Sequence, residues 1–142
     1  MKWPHWVVPL VVTALLCGGC GTRSTFGDAS FSEVEDAFQR AGLRICQSEA
    51  VAGGLANLAV RSRTYEVAAD CAGDDRAEVV VDEFDDVDDR DAAVRSFEVS
   101  VRPRGSGAAW TYRRTSVFVF GTSDDPVFEQ VTLGLDEAGA HR

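Results

Sequence analysis

Residues 77–84 read Ala77-Glu78-Val79-Val80-Val81-Asp82-Glu83-Phe84. Three consecutive valines followed by a phenylalanine make this the clearest strand in the chain. A helix is expected to start right after it, near Asp85–Asp86. Its apolar positions Val87, Val94, Phe97 and Val101 fall at i, i+7, i+10 and i+14, and Pro103 ends it. Toward the N-terminus, Leu43–Gln47 and Thr64–Ala69 read as two further strands. Residues 49–62 (EAVAGGLANLAVRS) stay open between a turn at Gly53-Gly54 and a strand or short helix at 55–60. Toward the C-terminus, Arg104–Ala108 (RGSGA) reads as a flexible loop. Trp110–Phe120 reads as one long strand or as a hairpin turning near Arg113-Arg114.

Two more helices flank this middle. Phe31–Ala41 carries Phe31, Val34, Phe38 and Ala41 on one face, a Ser30/Glu33 capping-box pattern before it and Gly42 after it. The last helix takes Asp124/Asp125 as cap and Pro126 as its first residue. Its apolar positions Phe128, Val131, Leu135 and Ala138 precede Gly139. The two helices share the template Phe-x-x-Val-x-x-x-(Phe/Leu)-x-x-Ala-Gly, read as a faint duplication or as two helices obeying one packing grammar on a shared sheet face. The order α-β-β-β-α-β-β-α predicts a single small α+β domain, with a mostly antiparallel sheet and its helices packed on one face.

The chain has 142 residues, a net charge of −9, 45% hydrophobic and 26% charged residues. That composition excludes collagenous, coiled-coil and wholly disordered chains. There is one Lys (Lys2) against thirteen Arg, and the two His are His5 and His141, at opposite ends. Ser-His and Cys-His nucleophiles and His-ligated zinc are therefore not expected. No GxxxxGK[ST] phosphate loop is present.

Asp82–Asp91 holds seven acids in ten residues. A Ca²⁺ site is one reading. The segment lacks the Gly and the terminal Glu of an EF-hand loop, and a helix N-terminus explains the same acids. A carboxylate pair acting as a small hydrolase would need a deep cleft and a tuned acid, which a domain of this size has little material to build. The one basic–aromatic concentration is Arg102, Arg104, Arg113 and Arg114 around Trp110 and Tyr112. It reads either as a patch for an anionic envelope polymer or acidic protein segment, or as core aromatics with Arg stems laid over them. Nucleic acid is disfavoured as a partner by the net negative charge.

At the N-terminus, Lys2 precedes an eleven-residue apolar run, Trp6–Leu16, of signal-peptide length and too short to span a bilayer. Leu15-Leu16-Cys17-Gly18-Gly19-Cys20-Gly21 then resembles the lipobox of bacterial lipoproteins. The resemblance implies cleavage before Cys20 and its lipidation; plain secretion is the alternative. The organisation expected is a signal peptide over 1–19, lipidated Cys20 and a short tether over 20–29, and an extracytoplasmic domain over 30–140. From Cys20 onward the side chains carry a net charge of −10.

Cys46 and Cys71 remain as an even pair, expected to form a disulfide in an oxidising compartment. The competing reading of free or reactive thiols lacks the basic partner a Cys nucleophile needs. In layout the chain resembles the small lipoproteins of high-GC Gram-positive bacteria. This implies anchoring to the outer face of the cytoplasmic membrane and carries over no activity. The function expected is a binding or interaction module of the envelope, with neither cofactor nor catalysis. Its partners would be the lipid bilayer, through the anchor, and an envelope protein or anionic polymer. The alternatives are an assembly accessory of a membrane complex and a small carboxylate-based hydrolase.

Overall fold

The computed structural model describes residues 28–55 and 57–142. The expected signal segment, Cys20 and most of the tether lie outside the described residues. The elements run α1 (Asp28–Arg40), β1 (Arg44–Val51), β2 (Arg61–Ala68), β3 (Ala77–Glu83), α2 (Val87–Val101), β4 (Gly107–Tyr112), β5 (Thr115–Phe120) and α3 (Pro126–Glu137). A single 3-10 turn, Arg102–Arg104, follows α2 and contains Pro103. This is the α+β order expected from sequence.

The five strands form one antiparallel sheet in the order β1-β2-β3-β5-β4. The ambiguous segment 49–62 divides between the end of β1, a turn through Gly53-Gly54 and the start of β2. Trp110–Phe120 is a hairpin, with Tyr112 opposite Thr115 and Arg113-Arg114 as its turn.

β3 lies in the middle of the sheet and is buried on both sides. Val79 and Val81 join Tyr65, Val67, Trp110, Val117 and Val119 in the larger core beneath α1 and α3. Val80 and Phe84 join Phe118, Ala109 and, from α2, Ala93 and Phe97 in a second core. The rings of Phe97 and Phe118 are 4.7 Å apart, centroid to centroid. α1 and α3 thus share one face, as expected, whereas α2 covers the opposite face, against the expectation of helices on one face. The physical reason is written in β3. A strand covered on one side alternates apolar and polar residues, but an unbroken valine run is apolar on both sides and draws a helix to each.

α1 begins at Asp28, inside the span assigned to the tether, and Ser30 is a buried residue of its first turn. The Ser30/Glu33 pair therefore does not cap the helix. The other start signals hold. Asp86 accepts from the amides of Asp88 and Asp89 (2.8 and 2.9 Å) at α2. Asp125 accepts from the Val127 amide (2.8 Å) at α3.

α1 and α3 end in the same way. Leu43 N–H donates to Phe38 O and Gly42 N–H to Gln39 O; Ala140 N–H donates to Leu135 O and Gly139 N–H to Asp136 O. These are two Schellman caps, each closed by a glycine at φ +78° or +81°. Beyond α3 the chain is pinned to the free side of β4, where Thr111 and His141 exchange both backbone hydrogen bonds (2.7 and 2.9 Å). His141, near the end of the sequence, is held by its backbone.

Cys46 and Cys71 form the expected disulfide. Cys46 sits where the β1–β2 register shifts between Ile45 and Gln47. The bridge ties the sheet's outermost strand to the turn that follows β2.

Candidate functional site

The six residues of the basic–aromatic set do not converge. Trp110 is fully buried, and its indole N–H donates to Asp136 of α3 at 2.8 Å. Tyr112, two residues on, shares that face of β4. Arg113 sits in the hairpin turn over the Tyr112 ring, 5.1 Å from its centre. Arg114 is beside it, its carbonyl accepting from the Phe84 amide. Arg102 and Arg104 lie in the 3-10 turn that leads into β4, at its other end from Arg113. Six extended residues separate the two pairs by about 20 Å. One patch built of all six is therefore corrected to two separate arginine pairs and a core tryptophan. Alternation along β4 showed that the aromatics share a face and carried no information on whether that face was open.

The acidic run divides as well. Asp82 is fully buried, accepting from the Ser62 hydroxyl (2.5 Å) and the Leu55 amide (2.9 Å). Burial, the largest effect, raises its pKa above the ordinary 3.8, and the two hydrogen bonds oppose the rise. Gly54 is pressed onto this carboxylate: a Cβ there would fall 2.4 Å from Asp82 Oδ2. Glu83, also buried, pairs with Arg61 at 2.8 Å. Asp86 caps α2. Among the described residues no group of three or more His, Cys, Asp or Glu is placed to hold a metal ion.

Sequence reasoning missed the cleft between α1 and α3. Glu33 and Val34 on α1, Leu135 and Ala138 on α3, and Tyr112 and Val117 on the sheet line a cleft of about 180 Å³, with Ala37, Arg40 and Ala140 completing the lining. One carboxylate oxygen of Glu33, Oε1, accepts from the Tyr112 hydroxyl at 3.0 Å. The other, Oε2, is buried and has no hydrogen-bond partner. The hydrogen bond to Glu33 is the leading cause that raises the Tyr112 pKa, because it favours the protonated phenol.

The phenol thus orients the carboxylate, whose second oxygen is shielded from solvent. A buried acceptor without a donor costs about 1–3 kcal/mol. The same helix places both charged residues: Glu33 and Arg40 are i and i+7 on α1, two turns apart on nearly the same side. The only signal in the sequence was Glu33 itself, which reads more simply as half of a capping box.

No protein-family model, no curated protein and no solved structure matches the chain.

Proposed function

We propose that this chain is a non-catalytic binding module of the bacterial cell envelope, anchored by lipid at Cys20 on the outer face of the cytoplasmic membrane, with its ligand site in the cleft between α1 and α3. The observation that carries the reading is the cleft itself, in which Glu33, held by Tyr112 through Oε1, and Arg40 stand among alkyl side chains. The Cys46–Cys71 bridge supports an oxidising compartment. The lipobox-like residues 15–21 support the anchor.

Amide and carboxyl NMR spectra of the full chain, titrated with a library of small polar fragments, test the site. Saturable shifts centred on Glu33, Tyr112 and Ala138 are expected. Shifts confined to other surfaces, or none at all, overturn the assignment of the cleft.

A second reading, an assembly accessory of a membrane complex, draws on a different observation. The β1–β2 connection and its flanks expose Val51, Leu55, Leu58 and Val60, each more than 40% accessible. An apolar group of this kind suits a protein contact. Leu55→Ser/Leu58→Ser would then release a co-purifying partner while leaving the fragment shifts at Glu33 intact.

A further inference from the structure

We infer that the β1–β2 connection, Val51–Val60, is a second membrane contact that seats the domain on the bilayer beside its anchor, its exposed apolar side chains entering the lipid surface. The inference goes beyond the ligand cleft and rests on the lipid anchor proposed above.

The segment reads Val51-Ala52-Gly53-Gly54-Leu55-Ala56-Asn57-Leu58-Ala59-Val60 and holds no charged residue, in a chain of which 26% is charged. Its large side chains stand outside. Val51, Leu55, Leu58 and Val60 are exposed, whereas the small Ala59 packs against the second core. The backbone beneath them is held. Leu55 N–H donates to Asp82 Oδ2 (2.9 Å) and Val60 N–H to the Glu83 carbonyl (2.8 Å). Gly53, Gly54 and Asn57 take left-handed φ of 83°, 59° and 55°, a conformation that glycine and asparagine visit more readily than other residues. A fixed backbone that turns its leucines to solvent differs from a stray exposed residue, and grouped apolar exposure marks a contact surface.

The point at which the undescribed chain joins the fold selects the occupant. α1 begins at Asp28, and Phe31 in its first turn lines one recess with Val51 and Val60. The tether therefore enters at the end of the sheet from which the loop springs. Cys20 lies at most about 29 Å from Asp28, so the lipid holds this end of the domain near the bilayer. On so short a tether the second contact is intramolecular, with an effective concentration of order millimolar, and a patch too weak to hold a free protein can stay engaged.

The contact is apolar rather than ionic. Arg61 and Arg63, where the chain leaves the loop, pair with Glu83 (2.8 Å) and Glu35 (3.3 Å). Both guanidinium groups lie over the Phe31 ring, 4.9 and 5.3 Å from its centre. The chain's net charge of −9 is repelled by an anionic surface, and removal of apolar side chains from water supplies the attraction instead.

A tryptophan placed in the loop of the full lipidated chain, reconstituted in vesicles of phosphatidylcholine and phosphatidylglycerol, tests the inference. Trp110 is buried and Trp3 and Trp6 precede Cys20, so a new indole can be read against them. Leu58→Trp is expected to shift its emission to the blue on reconstitution. It should also lose intensity when the lipid acyl chains are brominated, at low and high salt alike. Val99→Trp should do neither, because Val99 is exposed near the end of α2 that meets Gly107, at the other end of the sheet. Leu55→Asp added to the Leu58→Trp chain should weaken both changes.

If the protein floats with the vesicles but bromination leaves Leu58→Trp unchanged, the loop contact is overturned and the anchor stands. Protein that does not float with the vesicles overturns both. Equal quenching of Leu58→Trp and Val99→Trp means that the domain has no fixed seat and also overturns the inference. A blue shift in native membranes that is missing in vesicles of lipid alone assigns the loop to a protein partner and overturns the bilayer contact.

Discussion

Gly134 of α3 and Ala37 of α1 hold the same position in the repeated helix template, and they are the point at which the two helices touch. Each directly precedes the large apolar residue of its template, Leu135 and Phe38, and each helix ends five residues later in the same glycine-closed cap. A Cβ built on Gly134 would lie 2.8 Å from the Ala37 carbonyl oxygen and 2.8 Å from the Ala41 Cβ. Residues this small let the helix backbones approach closely over the sheet. That approach fixes where the helices diverge again, and the cleft lined by Ala37, Leu135 and Ala138 opens beside the contact.

Gly134→Ala is therefore expected to destabilise the domain. A mid-helix Gly→Ala change ordinarily gains about 1 kcal/mol of helix propensity. Here the added methyl meets backbone, which cannot rotate away, and overpacking costs typically 1–3 kcal/mol. We expect a net loss of up to about 2 kcal/mol by urea unfolding, with α1 shifted. A stabilised variant would show that the helices separate freely.

How far the fold was legible follows from these particulars. The helices of the repeated template, their glycine stops and the central valine strand could be read because each is a local pattern. The position of α2 was also encoded, in the failure of β3 to alternate. Asp82 shares its parity with Val80 and Phe84, so an inward acid was visible in principle; the six other acids around it drew the reading toward solvent. Glu33 was not legible. Its role depends on Tyr112, 79 residues away in sequence, and on two helices whose separation only packing sets.

Asp82 gives a stability that depends on pH in a stated direction. Its folded-state pKa lies above the ordinary 3.8, so the folded chain holds this proton more tightly than the unfolded chain. The stabilisation from that proton is full below pH 3.8 and is lost as the pH rises through the folded pKa. The carboxylate then relies on Ser62 O–H and Leu55 N–H alone, with Gly54 above it, Ser116 opposite it on β5 and the Glu83–Arg61 pair beside it. The stability of wild type minus that of Asp82→Asn, measured by urea unfolding from pH 3.5 to 7, should fall as the pH rises. A difference that rises with pH would mean that the hydrogen bonds outweigh burial.

Reduction of Cys46–Cys71 should loosen one strand before the rest. The bridge joins residues 25 apart, and on the chain-entropy account such a loop stabilises the fold by about 3–4 kcal/mol. Beyond its ladder with β2, β1 has little to hold it: it is an edge strand, mostly exposed, and Ile45 is its contribution to the packed core. Hydrogen exchange after mild reduction is expected to show β1 amides losing protection while β3 and β5 keep theirs. Uniform loss across the sheet would mean that β1 unfolds only with the whole domain.

The proposed anchor makes the last prediction. Protein purified from the membranes of a Gram-positive host should have the intact mass of a chain beginning at Cys20, heavier by a diacylglyceryl group and lighter by two hydrogens for the disulfide. Seven residues lie between Cys20 and the start of α1 at Asp28, and an extended chain over those eight steps spans at most about 29 Å. Glu33 lies in the second turn of that helix, so the cleft would work within a few nanometres of the bilayer surface. Cys20→Ala should keep the signal segment and lose the lipid mass, while its disulfide remains that of the wild type. A reduced chain that still carries Met1 and no lipid would place the protein elsewhere and remove the envelope from its function.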